Sequence, residues 1–147
     1  MLNNDYKELL SIFNEEKVKF ILVGAYAMAV HGYPRATMGI DIWVIGELKN
    51  SKAVMKALQR FGAPLSDVNS EDFQKDNIIF QIGVFPRRID ILTSVDGLEF
   101  EEAYKHSIVV ELEGVKLNVL SKEDLIRNKL ASGRTKDLAD VETLQGK

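Results

Sequence analysis

Two short apolar stretches each carry one aspartate: "GIDIWVI" (Gly39–Ile45) and "RIDILTS" (Arg88–Ser94). Both are rich in β-branched residues and alternate in character, so we predict that each forms a strand. Successive side chains of a strand point to opposite faces of its sheet. Asp41 therefore shares a face with Gly39, away from the isoleucines on either side of it, and Asp90 has the same setting in the second strand.

The other segments alternate between predicted helices and strands. Asn4 or Asp5 is the expected cap of the first helix, and Glu113–Gly114 the expected turn of a hairpin. Further strands are predicted at 19–24 and 78–85, the second of which forms a hairpin with 88–94, and on each side of the Glu113–Gly114 turn within 108–120. Further helices are predicted at 25–32, 51–62, 99–107, 121–132 and 135–145. This mixture predicts an α/β (α+β) fold, with one domain over residues 1–147 and a mixed β-sheet flanked by helices.

The composition excludes several classes of protein. The chain has no cysteine, which excludes a disulfide scaffold, a cysteine nucleophile and a thiolate zinc site. No apolar run approaches the ~20 residues of a membrane span, and the first residues lack the pattern of a signal peptide. We expect no membrane association and a cytoplasmic location. A net charge of −3 argues against a globally basic nucleic-acid binder, although residues 121–136 hold five Lys/Arg against two Asp/Glu.

The two strand aspartates have two interpretations. Asp41 and Asp90 on neighbouring strands could hold a Mg²⁺ ion, which takes hard oxygen ligands and keeps substrate phosphates in its shell. Such a site would serve phosphoryl or nucleotidyl transfer. Alternatively, both are solvent-facing acids on a half-exposed sheet.

A glycine stands between a predicted strand and a predicted helix in "ILVGAYAMAVHG" (Ile21–Gly32). Backbone N–H groups at a helix start attract phosphate, and glycine permits a close approach. Taken alone, Gly24 is better explained as a residue that turns the chain.

Taken together, these segments resemble the minimal nucleotidyltransferase superfamily. The similarity is greatest to its small bacterial branch, which includes toxin-type and antibiotic-modifying enzymes. It is carried by "VGAYAMAVHGYPRATMGIDIWV", then "RIDIL", then "NKLASGRTKDLADVETL", and it extends from about Lys19 to Leu144. Only 64–77 carries no motif of the family.

The resemblance implies roles for residues in the first half of the chain. Gly24 and Ala25 correspond to the phosphate-binding turn. Arg35 and Thr37 lead into the metal-binding strand and would help to fix it. Asp41 corresponds to the second metal-binding aspartate.

It also implies roles further along. Asp90 corresponds to the third carboxylate, which assists the attacking group or a second metal ion. Lys129 would lie near the triphosphate, and Lys136, Asp137 and Asp140 would line the far side of the cleft. The implied catalytic and metal-binding pair is therefore Asp41 and Asp90, with an NTP as substrate and Mg²⁺ as cofactor. The family has a two-metal site, which the resemblance implies is weakened in this chain.

The sequence departs from the family at Gly39, where the family has its first metal-binding aspartate. Ala25 also replaces a serine or glycine, which is a mild change because its backbone N–H is kept. Three explanations remain open. The protein is a degenerate, non-catalytic relative; or it is a weak enzyme in which Asp137 or Asp140 supplies the missing charge; or Gly39 is an introduced change, although Asn or Ala is the usual choice for that purpose.

The implied function is Mg²⁺-dependent transfer of a nucleoside monophosphate from NTP to an acceptor, in an active or impaired form. RNA, a protein hydroxyl and a small molecule are all candidate acceptors. The alternative is a non-catalytic nucleotide- or partner-binding module, such as one half of a toxin–antitoxin-type pair. Trp43 would then belong to a partner or base-stacking surface, unless it packs beneath a helix.

Overall fold

The computed structural model describes residues 2–34, 39–84 and 86–146. Within these ranges the helices are α1 (Asn4–Glu15), α2 (Gly24–Val30), α3 (Leu48–Phe61), α4 (Phe100–His106), α5 (Lys122–Ser132) and α6 (Thr135–Leu144). The strands are β1 (Phe20–Val23), β2 (Gly39–Val44), β3 (Ile79–Ile82), β4 (Arg88–Leu92), β5 (Ile108–Leu112) and β6 (Val115–Val119), and a 3₁₀ turn spans Ser70–Gln74. The predicted α/β class is confirmed.

The six strands form one mixed sheet in the order β3-β4-β2-β1-β6-β5. Strand β2 pairs antiparallel with β1 and parallel with β4, so it lies near the middle of the sheet. The β3–β4 and β5–β6 pairs are antiparallel, as predicted for two hairpins. The predicted mixed sheet with flanking helices is therefore confirmed.

The central strands place both aspartates at the same level of the sheet. Asp41 is the register partner of Asp90 across the parallel β2–β4 pair, and of Val23 across the β1–β2 pair. Ile40 and Ile42, which point to the opposite face of β2, are fully buried in the core. In-register residues on neighbouring strands lie about 5 Å apart and share a face, so the fold brings the two carboxylates together.

Trp43 is buried, with only 2% of its surface exposed. Its ring meets that of Phe100 on α4 edge to face, with 5.1 Å between centroids. Trp43 therefore packs beneath a helix, and its interpretation as an exposed stacking or partner surface is wrong.

Two predicted helix starts are corrected. The cap of α1 is Asn3, whose Oδ1 accepts a hydrogen bond from the Tyr6 N–H at 2.9 Å, and not Asn4 or Asp5. Helix α3 begins at Leu48, before the predicted Ser51, because Asn50 turns inward. The Asn50 side chain bonds both backbone groups of Lys19, at 2.7 and 3.1 Å, and so ties the start of α3 to the start of β1.

The predicted end of the third strand, Phe85, lies outside the described residues, and β3 is described to Ile82. Among the helices that are described, none combines the length and the apolarity that crossing a lipid bilayer requires.

Candidate active site

A cleft of about 590 Å³ opens where the central strands meet the C-terminal helices. One wall is formed by the sheet and the turn that follows β1, and the opposite wall by α5 and the start of α6. Apolar residues complete the rim. The cleft is lined by Val23, Gly24, Asp41, Asn77, Ile78, Ile79, Asp90, Leu92, Ser94, Val95, Asp96, Asn128, Lys129, Ser132, Arg134 and Asp137.

Five of the residues that the sequence singled out therefore lie in one cleft: Gly24, Asp41, Asp90, Lys129 and Asp137. They come from both ends of the chain, and the fold alone brings them together. Ala25 is half-buried in the first turn of α2 and is not part of the lining. Arg35 and Thr37 lie outside the described residues.

The two carboxyl groups of the cleft are close enough to share a proton. The pKa of Asp41 is raised to about 6, mainly by burial and further by the charge of Asp90 and a hydrogen bond between the two groups. The positive charges of Arg88 and Lys136 act in the opposite direction. Two negative charges in contact with each other repel, so the Asp41–Asp90 pair favours a proton or a cation between the two carboxyl groups.

Arg88 provides one such cation from within the chain. Its Nε lies 3.0 Å from Asp90 Oδ1, and its Nη2 donates to Asp90 Oδ2 at 3.1 Å. The Nη2 contact is a charge-assisted hydrogen bond, stronger than a neutral one, and the Nε contact is an ion pair without hydrogen-bond geometry. Arg88 was missed at the level of the sequence, although its position two before Asp90 in a strand places both side chains on one face.

Gly24 is required by the position of Asp41. Its φ of +69° is a conformation that glycine adopts readily, and a Cβ at this position would fall on Asp41 Oδ2. The carboxylate of Asp41 thus sits directly over the turn between β1 and α2. Any larger residue at position 24 would push that carboxylate out of the cleft.

Gly39 is closely packed as well. A Cβ here would lie 2.6 Å from the carbonyl oxygen of Arg88, its register partner. That oxygen is held in place because the hydroxyl of Tyr6 donates a hydrogen bond to it at 3.1 Å. A side chain at position 39, including an aspartate, therefore requires β2 and β4 to move apart.

Lys129 is buried in the opposite wall between two acids. Its Nζ lies 2.9 Å from Asp140 Oδ2 and 3.6 Å from Asp137 Oδ1, and only 11% of its side chain is exposed. The family role near a triphosphate remains a prediction. In this structure two carboxylates already face the single positive charge of Lys129.

Asp137 is the centre of a second set of contacts. Burial opposes its ionisation, but donation from Arg134 Nε at 2.6 Å and from Ser132 Oγ outweighs it, so the pKa of Asp137 is lowered. Ser132 and Arg134 both line the cleft and were also missed, although Arg134 stands inside the family-like C-terminal motif. Lys136 is exposed on α6, and neither it nor Asp140 is among the residues that line the cleft, so only Asp137 of the three expected on the far side lines it.

The residues that could hold a metal ion are few. Within residues 2–34, 39–84 and 86–146, no three His, Cys, Asp or Glu side chains group closely enough for a cation site. Asp137 and Asp140 therefore do not complete a three-carboxylate cluster with the Asp41–Asp90 pair. The donor set for a divalent ion at this pair is two carboxylates.

The sequence matches a family model, and the fold matches solved structures. A family model described as "Nucleotidyltransferase of unknown function (DUF6036)" matches residues 1–145. A Thermotoga maritima structure to which a nucleotidyltransferase function is ascribed has a TM-score of 0.66 and 18% identity, over 99% of this chain and 96% of its own. ANT(2″)-Ia in complex with adenylyl-2″-tobramycin has a TM-score of 0.62 and 14% identity, over 95% and 85%. No curated protein matches the sequence. At these identities the two structures show a shared fold.

Asp41→Asn should stabilise the protein at alkaline pH. An acid whose folded-state pKa lies above its ordinary value loses stability as pH rises through that interval, here from about 3.8 to about 6. Above that interval the loss is complete, on the order of 3 kcal/mol in the free energy of unfolding. Urea unfolding at pH 4 and pH 8 should show the variant more stable at pH 8 by roughly 2–3 kcal/mol and nearly equal at pH 4. A variant that is less stable at pH 8 would contradict the assigned burial.

Gly39→Ala should destabilise the β2–β4 pair. Overpacking against a fixed backbone oxygen costs about 1–3 kcal/mol. The cost should be smaller in a Tyr6→Phe background, because the Arg88 carbonyl is then free to move. A double-mutant cycle by urea unfolding measures this coupling, and strictly additive losses would rule out the proposed contact.

Proposed function

Because the chain belongs to the DUF6036 family of nucleotidyltransferases of unknown function, we propose that its cleft binds an NTP with Mg²⁺ and transfers a nucleoside monophosphate to an acceptor. The observation that supports this most is the Asp41–Asp90 pair facing the turn at Gly24, with cationic residues across the cleft. The fold agrees with that of the structures it resembles.

The carboxylate pair fits one magnesium ion. Mg²⁺ is commonly held by one or two carboxylates together with substrate phosphates and water. The raised pKa of Asp41, to about 6, indicates that this pair is short of positive charge when the cleft holds only protein. When bound there, the ion would neutralise charge on the phosphates of the nucleotide.

The chain's own residues have separate roles in this proposal. The turn at Gly24 carries no side chain, so the Asp41 carboxylate lies over it and stays in the cleft lining. As the acceptor oxygen attacks the α-phosphorus, its proton passes to the Asp41–Asp90 pair, and the bond from the α-phosphorus to the bridging oxygen of pyrophosphate breaks. Pyrophosphate takes up the resulting negative charge and departs toward the wall that holds Arg134 and Lys129.

The acceptor is proposed as a hydroxyl of a small molecule, RNA or protein. ANT(2″)-Ia, which shares the fold, forms a complex with an adenylylated small molecule, adenylyl-2″-tobramycin. Hydroxylated small molecules are therefore the first class to test. The apolar rim formed by Ile78, Ile79, Leu92 and Val95 gives either the base or the acceptor an uncharged surface.

A second candidate is nucleotide binding without catalysis. The packing of Gly39 against the Arg88 carbonyl supports it, because that packing leaves no room for the family's first metal-binding aspartate. A partner-binding role, as in a toxin–antitoxin-type pair, has weaker support from exposed apolar residues on the two edge strands, Ile79 and Val109.

Titration calorimetry of each NTP with Mg²⁺ tests the proposal. The natural chain should bind at least one NTP, and Asp41→Asn and Asp90→Asn should each weaken binding by about tenfold or more, since each removes a ligand charge. Asp67→Asn is the matched control, because this exposed carboxylate lies outside the cleft lining. No binding by the natural chain, or equal binding by all variants, would overturn the proposal.

Transfer of label from NTP that carries ³²P at the α-phosphorus separates the two candidates. Incubation with pooled hydroxylated small molecules, RNA and protein should yield a labelled product if the chain is an enzyme. Binding without any labelled product would instead favour the non-catalytic candidate.

A further inference from the structure

Arg88 and Gly39 stand opposite one another in the strand pair that holds the two carboxylates. The parallel β2–β4 register aligns Gly39 with Arg88 and Asp41 with Asp90. Residues two apart in a strand share a face, so these four positions form one compact square on one face of the sheet. Asp41 and Asp90 line the cleft, and Gly39 and Arg88 lie next to them, outside its lining. Two of its corners are carboxylates, one is a guanidinium and one has no side chain.

The empty corner and the guanidinium are direct neighbours. A Cβ on Gly39 would lie 3.3 Å from the Cβ of Arg88. Arg88 thus rises from the sheet beside the position where the family pattern has a carboxylate. Instead of a third acid, the site contains a fixed positive charge.

The guanidinium is directed at the carboxylate pair and not at solvent. Both oxygens of Asp90 are engaged by Arg88, and the side chains of Arg88 and Asp90 are only 29% and 12% exposed, respectively. A charge pair held this way in a partly buried site is screened little by water. The arginine therefore offsets the charge of one of the two acids permanently.

From this arrangement we infer that Arg88 is a built-in cation that takes the place of one divalent metal ion, so that the cleft is a one-metal site. This inference deepens the proposed function and rests on it. A site with three acids attracts two divalent ions, whereas two acids and an arginine leave one uncompensated negative charge. A single ion together with nucleotide phosphates satisfies that charge.

Arg88 has opposite effects on the metal alone and on the nucleotide. Toward a free divalent ion it is a nearby like charge and a competitor for the oxygens of Asp90. Toward phosphate it is favourable, because its positive charge reduces the repulsion between the carboxylate pair and the phosphate groups. A residue that merely supports the fold would weaken both kinds of binding together.

Binding of Mn²⁺ alone, followed by electron paramagnetic resonance of the free ion, tests this directly. Arg88→Gln should bind Mn²⁺ about tenfold more tightly than the natural chain, because a unit charge a few ångströms from the ion is removed. In parallel calorimetry with Mn²⁺ and ATP, the same variant should bind ATP about tenfold less tightly, because the positive charge that offsets Asp90 near the phosphates is lost. Arg87→Gln makes the same change in charge at an exposed neighbour and should alter neither affinity.

A second variant covers the case in which Arg88→Gln does not fold. Arg88→Lys keeps the charge but replaces the fork with a single nitrogen, so it releases one oxygen of Asp90. Its Mn²⁺ affinity should rise about threefold, with a native thermal transition. Unchanged or weaker Mn²⁺ binding in the folded variants would overturn the inference. Tighter Mn²⁺ binding in a chain that binds no NTP would keep Arg88 as the built-in cation and reject the proposed function.

Discussion

The parallel, in-register pairing of β2 with β4 places the carboxylates of Asp41 and Asp90 side by side, and the neighbouring parts of the cleft are arranged around this pair. Like charges about 5 Å apart in a partly buried site are unfavourable. Three features accompany this repulsion. The pKa of Asp41 is raised, Arg88 forms an ion pair with Asp90, and the glycine at position 24 lets the Asp41 carboxylate lie over the turn. Proteins commonly keep such destabilising arrangements only where function requires them.

The opposite wall of the cleft, formed by α5 and α6, has a different charge balance. Asp137 and Asp140 are paired with Lys129 and Arg134, two acids with two cations, and Ser132 donates a further hydrogen bond to Asp137. Buried ionic groups need such complete pairing to avoid an uncompensated charge. This wall is therefore close to neutral, whereas the sheet side still has an unmet negative charge. The charge of the cleft is consequently asymmetric, because only its sheet side has a negative charge that a bound cation would neutralise.

Much of this could be predicted from the sequence, for identifiable reasons. Alternation in "GIDIWVI" and "RIDIL" predicted both strands and the common face of their acids. The resemblance predicted the superfamily, which the family match confirms, and the fold, which the observed sheet and its structural neighbours confirm. The tight packing of Gly39 could not be predicted, since it depends on the position of the Arg88 carbonyl and on Tyr6, far away in the sequence. Nor could the pairing of Lys129, because spacing along one helix does not show what a second helix brings against it.

The central claim is that the sheet side of this cleft binds a nucleotide through a single divalent ion. A crystal structure with Mn²⁺ and an ATP analogue that carries a methylene between the α- and β-phosphorus tests it most directly, because anomalous scattering locates each manganese. We expect one manganese between Asp41 and Asp90, in contact with phosphate oxygens, with Arg88 still beside Asp90. Two manganese ions at the carboxylate pair, or a nucleotide bound elsewhere on the protein, would contradict the claim.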